Sequence, residues 1–189
     1  MDSRKNKQLI KSLFTSAILL FTAGFVYAQN YSSTASKISL YSSTPIEDIR
    51  ASSTQGKSVI VPAKKQIAFQ VAIRSFDFEK KMMQEHFNEN YMESDRYPQA
   101  KFTGVIREDI DLKKDGTYPV TAKGTLNVHG VEQPRTIPGK LIVKSGAIHL
   151  DTKFGVKCVD HKIEIPTLVF NKIAEEINVT VSADYKPMN

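Results

Sequence analysis

Apolar and polar residues alternate with a period of two along much of this chain. The clearest run covers 177–185, in which Ile177, Val179 and Val181 are separated by polar residues. The other runs cover 67–73, 120–128, 137–143 and 148–156. A period of two is the pattern of a β-strand with one buried face. The pattern therefore predicts an all-β protein.

Short segments that contain glycine separate these runs. They cover 113–116, 129–130 and 144–146. Glycine readily adopts the positive φ of tight hairpin turns, so successive strands are predicted to pair as antiparallel hairpins. Seven or eight such strands could form a sandwich or a closed barrel, and alternation alone does not distinguish the two. Gly104, Gly124 and Gly139 favour a barrel because they lie on the inward side and permit bending; taken as incidental, they are equally compatible with a sandwich.

One amphipathic segment interrupts the strands. Apolar side chains recur every four residues from Met83 to Tyr91, and Asp77 is a candidate N-cap. The pattern predicts a helix over about 79–92, with a break near Asn88. Its apolar face is expected to cover one end of the sheet. The predicted fold is an eight-stranded antiparallel β-barrel with one short helical insertion.

The first 28 residues predict a secretory signal peptide. Basic residues precede an apolar run over 13–25, and Ala28 ends a small-residue cleavage site. The run is short for a membrane span, which needs about 20 mostly apolar residues; an uncleaved anchor is the alternative. Residues 29–189 are then predicted to form one domain in the periplasm or outside the cell.

The predicted cleavage also changes the charge. The formal net charge of +6 falls to +3, because residues 1–28 carry four basic side chains and one acidic one. The other Lys and Arg residues are scattered, with no basic stripe interleaved with aromatic residues, which argues against nucleic-acid binding. Cys158 is the one cysteine, so no intramolecular disulfide forms. It shares the parity of Phe154 and Val156, which predicts a buried and unreactive thiol.

Candidate catalytic groups are few. The histidines are His86, His129, His149 and His161. None shows the pair spacing of a metal site, and no metal or cofactor is predicted. The Glu85–His86 pair is the best candidate for acid–base chemistry, but the role expected for His86 is a structural hydrogen bond at the end of the barrel. Asp95–Arg96 is a second polar pair.

Three segments resemble one known family. They are MMQEHFNENYMESDRYPQAKFTGVI at 82–106, GTLNVHGVEQPRTIP at 124–138 and FNKIAEEINVTVSADY at 170–185. They are similar to the YceI-like family of exported bacterial proteins. The resemblance implies a lipocalin-like barrel with an apolar tunnel for a polyisoprenoid or similar amphiphilic lipid, and no established catalytic residues. Two segments depart from the family pattern: 37–56 is longer and could cover a different part of the barrel, and CVDHKIEIP stands where a tyrosine is frequent.

Lipid binding is also physically reasonable from the residues. An eight-stranded barrel can fill its interior with side chains or hold one small ligand, and ten Phe with five Met favour a flexible apolar lining. About 15 buried methylenes at roughly 0.8 kcal/mol each contribute about 12 kcal/mol before ordering costs. The predicted lining residues are Phe69, Phe76, Phe78, Met82, Met83, His86, Phe87, Tyr91, Phe102, Ile106, Leu126 and Phe154. Met82 and Met83 suit a gate, and ordinary core packing is the alternative role for each residue.

Two functions follow from these observations. The preferred one is a non-catalytic carrier of an isoprenoid or quinone-like lipid. The alternative is an enzyme that acts on a lipid-like substrate through Glu85 and His86, or through Asp95–Arg96. Transient contact with a membrane and a homodimer are both compatible with the sequence, and no nucleic-acid partner is expected.

Overall fold

The computed structural model describes residues 29–166 and 173–188, so the predicted signal peptide at 1–28 lies outside the described residues. The strands are β1 Tyr31–Ser43, β2 Asp48–Val61, β3 Gln66–Ala72, β4 Asp77–Phe78, β5 Gln99–Ile106, β6 Gly116–Val128, β7 Val131–Lys144, β8 Ala147–Lys157 and β9 Glu176–Pro187. Helix α1 covers Lys81–His86, and Phe87–Tyr91 continues it as a π-helical turn. Nowhere in these two ranges is there a helix with the length and apolar character to cross a bilayer.

Eight strands close into an antiparallel barrel. They are hydrogen-bonded in the order β1-β9-β8-β7-β6-β5-β3-β2, and β1 pairs with β2 to complete the ring. The two-residue β4 pairs with the first half of β2. Gly104 and Gly124 face each other across β5 and β6, where a Cβ on Gly124 would collide with the Thr103 carbonyl oxygen. The closed ring of eight strands and helix α1 confirm the predicted barrel with one short helix.

Two of the three predicted tight turns are confirmed. His129 and Gly130 have φ of 52° and 71°, and Ser145 and Gly146 have φ of 50° and 80°. Positive φ at both central residues is the type I′ pattern of two-residue hairpins. The third prediction is wrong, because residues 107–115 form a longer loop. That loop folds back on β6, where Glu108 Oε2 accepts a hydrogen bond from the Thr121 N–H at 2.7 Å.

The segment 37–56 belongs to the barrel wall and does not cover a separate part of it. It forms most of β1 and β2, which pair from Tyr31 and Ile60 to Ser43 and Asp48 with register shifts near Ser36. Inward-facing serines interrupt the apolar alternation there, which hides these strands in the sequence. The buried serines in β1 and β2 are Ser33, Ser36, Ser42, Ser53 and Ser58.

The helix begins later than predicted and does not break at Asn88. Asp77 lies in β4, and Lys80 occupies the N-cap position without a side-chain cap. Asn88 Nδ2 donates to the Gln84 carbonyl oxygen at 2.8 Å while the chain widens into the π-helical turn. A π turn often marks a functional site.

Aromatic contacts hold this helical segment against the barrel. The ring centroid of Phe87 lies 4.9 Å from that of Phe78 and 5.9 Å from that of Phe76. Phe76 is buried in the barrel, so the phenylalanine cluster anchors the apolar face of the helical segment over one end.

The interior divides into two apolar clusters. The cluster that we call the closed half consists of Tyr31, Ile60, Ile67, Ile106, Val120, Ala122, Leu141, Val143, Ile148, Leu150, Ala183 and Tyr185. The cluster that we call the open half consists of Ile38, Ala51, Val71, Phe76, Leu126, Val156, Val179 and Val181. Phe69 and Phe102 pack against both clusters and mark the boundary.

Candidate functional site

The open half of the barrel surrounds a cavity of about 450 Å³. Ligand-binding pockets typically measure about 300–1,000 Å³. All eight barrel strands contribute to its wall, and its floor lies at Ile67, Val120 and Leu150 of the closed half. The cavity is therefore a single apolar space that runs from the middle of the barrel to one end.

The strand directions determine which connections lie at the end where the cavity opens. Because neighbouring strands are antiparallel, the connections 44–47, 73–98 and 129–130 and the described parts 158–166 and 173–175 of the last connection all lie at this end, which we call the mouth. Lining residues come from three of these connections: Glu47, helix α1 with its π turn, and Ile163, Ile165 and Ile173.

All twelve residues predicted from the sequence line the cavity. Phe69, Phe102 and Phe154 lie on strands in the wall, whereas Met82, Met83 and His86 lie on α1 at the mouth. Met82 is 64% exposed, as expected for a side chain at an opening. Contact between these residues and a ligand stays a prediction.

Part of the cavity wall was not predicted from the sequence. The missed side chains on β1, β2 and β9 are Ile38, Leu40, Ile49, Ala51, Ile177, Val179 and Val181. For Val179 and Val181 the signal was present, because they occupy inward positions of the clearest alternating run. For Ile38 and Ala51 the alternating signal was weak, because serine occupies a neighbouring inward position on each strand.

Polar groups at the cavity are few, and Glu47 and Ser42 are engaged by other residues. Glu47 Oε1 lies 3.0 Å from Lys80 Nζ, which ties the β1–β2 turn to the start of α1. Ser42 Oγ accepts a hydrogen bond from the Ala174 N–H at 2.8 Å. Partial burial raises the pKa of Tyr91, so its hydroxyl keeps its proton near neutral pH.

Neither polar pair considered for catalysis forms a coupled acid–base unit. Glu85 and His86 are exposed on α1, and the His86 side chain makes no hydrogen bond to another described residue. The expected structural hydrogen bond of His86 is therefore wrong within this part of the chain. Asp95 Oδ1 instead pairs with Arg74 at 2.5 Å, while the Arg96 guanidinium lies 5.1 Å from the centre of the Tyr97 ring.

The other histidines lie apart from the cavity. His149 projects from the outer wall between Asp184 at 2.6 Å and Asp151 at 3.0 Å, and the hydrogen bond to Asp184 raises its pKa most. His129 bonds to Glu93 at 2.8 Å. His161 is fully buried, with Nδ1 3.1 Å from the Val131 carbonyl oxygen, and burial lowers its pKa.

These side chains do not form a metal site. Across residues 29–166 and 173–188, no group of three or more His, Cys, Asp and Glu side chains is arranged to hold a metal ion. Cys158 is buried at the cavity wall, and burial raises the pKa of its thiol. The predicted burial of the Cys158 thiol is therefore confirmed. Its raised pKa also disfavours the reactive thiolate.

A closed antiparallel barrel of eight strands with a cavity open at one end places the molecule in the class of lipocalin-like β-barrels. The family model of the YceI-like domain matches residues 30–185. The chain therefore belongs to the YceI-like family, as its motifs indicated. None of the curated proteins compared with this chain matches it.

Solved structures share this architecture at low identity. A polyisoprenoid-binding domain from Saccharophagus degradans is 18% identical with a TM-score of 0.72, and the match covers 86% of this chain and 99% of that domain. BcnA from Burkholderia cenocepacia is 17% identical with a TM-score of 0.67, over 79% and 95% of the two chains. The YCEI protein from Campylobacter jejuni is 18% identical with a TM-score of 0.57, over 74% and 84%. At these identities the likeness shows the fold.

Proposed function

We propose that this protein is a non-catalytic carrier that holds a long apolar isoprenoid or quinone-like lipid inside its barrel. The observation that carries the proposal is the cavity of about 450 Å³, which is apolar from the floor to the mouth. Membership of the YceI-like family and the likeness to a polyisoprenoid-binding domain support the same conclusion.

The physical chemistry of the cavity fits such a ligand. Among the described residues of its floor and walls, Lys101 on β5 is the one Lys or Arg side chain, and burying an unpaired charge is costly. Apolar contact is therefore the main attraction, at roughly 0.8 kcal/mol for each methylene removed from water. A tail that reaches the floor leaves the head group at the mouth, where the polar lining residues Glu47, His86 and Tyr91 lie.

The proposed place of action follows from the predicted signal peptide. After cleavage near Ala28, the carrier would act in the periplasm or outside the cell. Transient contact with a membrane and a homodimer stay predictions.

The test is to identify the molecule bound to protein purified from its own host. We expect native mass spectrometry to show one apolar lipid per barrel and solvent extraction to release it unmodified. The variant Val179→Trp places a large side chain in the cavity wall and should lose the lipid. Val105→Trp is the matched control, because Val105 lies on the outside of β5 and is 46% exposed. Lipid retained at full occupancy by Val179→Trp, or absent from wild type, would contradict the proposal.

The enzymatic alternative is tested on the same material. We expect the extracted lipid to remain unchanged after prolonged incubation with wild-type protein. If the lipid is converted, and if His86→Ala abolishes the conversion while ligand binding is kept, the protein is an enzyme and the carrier proposal is wrong.

A further inference from the structure

We propose that the cavity selects lipids with an uncharged head group over lipids of the same chain with an anionic head group such as a diphosphate. The inference rests on the proposed carrier function and names the class of ligand. It follows from the distribution of charge at the mouth and from the few charged groups that line the cavity.

The mouth carries an excess of negative charge. Within the described residues, the four connections at this end hold ten carboxylates and five Lys or Arg side chains. The carboxylates are those of Glu47, Asp77, Glu79, Glu85, Glu89, Glu93, Asp95, Asp160, Glu164 and Glu175, and the cations are Arg74, Lys80, Lys81, Arg96 and Lys162.

The opposite end of the barrel has no such excess. Its connections cover 62–65, 107–115 and 145–146, and they hold four carboxylates and five Lys or Arg side chains. The whole chain beyond residue 28 is basic, with 22 Lys and Arg against 19 Asp and Glu. The negative charge is therefore concentrated at the end where the cavity opens.

Ion pairs at the mouth neutralise some of its Lys and Arg side chains as well as some of its carboxylates. Lys80 pairs with Glu47, and Arg74 pairs with Asp95. Asp160 is neutralised by Arg135 of β7 at 2.8 Å. Glu93 bonds to His129 at 2.8 Å. The other six mouth carboxylates have no ion-pair partner among the described residues: Asp77, Glu79, Glu85, Glu89, Glu164 and Glu175. The cations left at this end are Lys81, Arg96 and Lys162.

The described part of the cavity lining offers no clamp for a diphosphate. Recognition of phosphate oxygens relies on charge-assisted hydrogen bonds from several donors, with bidentate Arg contacts among the strongest. In the described part of the lining, Lys101 is the one Lys or Arg, and Glu47 adds an opposite charge. An uncharged carbonyl or hydroxyl needs only a hydrogen-bond donor, and Tyr91 and His86 provide candidates at the mouth.

The selectivity should depend on salt. The Debye length shortens from about 30 Å at 0.01 M ionic strength to about 3 Å at 1 M, so the repulsion between the mouth and an anionic head is screened as salt is added. Apolar contact with the tail is not screened in this way. Selectivity that comes from the carboxylates therefore fades at high salt, whereas tail binding persists.

The test compares farnesol with farnesyl diphosphate, which share one chain, as competitors of Nile red on delipidated protein. At an ionic strength of about 0.01 M, we expect farnesyl diphosphate to need a concentration roughly tenfold higher than farnesol for half-displacement. The ratio should shrink at least threefold at about 0.5 M salt.

Two charge-reversal variants locate the effect. Glu85 and Glu89 lie one turn apart on α1 and its π continuation, and both are exposed. Glu85→Lys and Glu89→Lys should each lower the ratio about twofold, and the double variant more, because each removes one negative charge and adds a positive one near the mouth. Asp109→Lys is the matched control at the closed end, where the Asp109 side chain is 90% exposed; it should leave the ratio unchanged.

The outcomes separate the inference from the function on which it rests. Farnesyl diphosphate binding as tightly as farnesol, or a ratio that ignores salt, overturns the inference and leaves the carrier function standing. An equal effect of Asp109→Lys and Glu89→Lys also overturns it, because net charge and not the mouth would then set the preference. If neither farnesol nor its diphosphate displaces Nile red, the proposed carrier function fails.

Discussion

The two halves of the barrel are built from the same eight strands and the same alternation, yet one is filled and the other is hollow. In the closed half, eight of the twelve buried residues are Ile, Leu or Tyr. In the open half, five of the eight are Val or Ala. Since the strand number sets the diameter of a barrel, shorter inward side chains leave space that longer ones would occupy. The short side chains at these buried positions therefore leave room for a ligand in the open half.

The halves also differ in how polar groups are buried. In the closed half, the Tyr185 hydroxyl lies 2.6 Å from Ser58 Oγ, and Ser58 Oγ donates to the Ala68 carbonyl oxygen at 2.9 Å. Burial raises the pKa of Tyr185 to about 12. In the open half, the buried residues of the apolar cluster face the void, and the buried Ser42 Oγ accepts a hydrogen bond from the Ala174 N–H. The closed half is filled by its own packed side chains, whereas the open half exposes apolar surface that a ligand can cover.

The largest expected effect comes from adding the same bulk to each half. Ala51→Phe should lower farnesol affinity by about a hundredfold, or about 2.7 kcal/mol, because the ring occupies the cavity. Its free energy of unfolding should change by less than about 1 kcal/mol, since the space exists. Ala183→Phe, in the filled half, should cost about 1–3 kcal/mol of stability through overpacking. Urea denaturation and Nile red displacement measure both; equal destabilisation by the two variants would contradict the comparison.

The next largest effect comes from removing bulk. Leu141 is 1% exposed in the closed half, so Leu141→Ala should create a new void and lower the free energy of unfolding by about 2–5 kcal/mol. Leu126 borders the existing cavity, so Leu126→Ala should cost only the lost apolar burial, about 1–2 kcal/mol. Urea unfolding without ligand checks this order. Leu126→Ala proving as costly as Leu141→Ala would show that the open half is packed like the closed one.

The smallest expected effects are changes in the free energy of unfolding with pH, which differ between a histidine at the mouth and a histidine beside the closed half. Burial lowers the folded pKa of His161 at the mouth, so the unfolded chain binds a proton first as pH falls below about 6.5, and stability decreases. Asp184 and Asp151 raise the folded pKa of His149 beside the closed half. The stabilisation from His149 is therefore complete below about pH 6.5 and is lost as pH rises through the folded pKa.

The test measures urea unfolding between about pH 5 and 8, the range around the ordinary histidine pKa. Relative to wild type, His161→Gln should lose less stability on acidification. His149→Gln should lose the stabilisation that wild type gains on acidification. The same sign of change in both variants would contradict the assigned pKa directions. Asp151 and Asp184 contact His149, and the charges of Arg135 and Asp160 act on His161, so each slope reports a local cluster.

Much of the fold could be read from the sequence because strand periodicity is local. The runs at 120–128 and 177–185 lie within β6 and β9, and inward parity placed Phe69 and Phe154 on the cavity. Strands β1 and β2 were not read because serines such as Ser36 and Ser53 occupy inward positions there. Their burial is made acceptable by hydrogen bonds such as that from Ser36 Oγ to Ser33 Oγ at 2.9 Å, a partner that alternation does not reveal.

The sequence by itself determined the class of fold, the antiparallel pairing and the apolar identity of the interior, because these depend on period-two alternation, turn residues and family motifs. Only the tertiary structure decided that the barrel is filled below Phe69 and Phe102 and hollow above them. It also decided that scattered carboxylates gather at the mouth. Both properties depend on which side chains from distant strands and connections meet in space, and no local pattern of residues encodes that meeting.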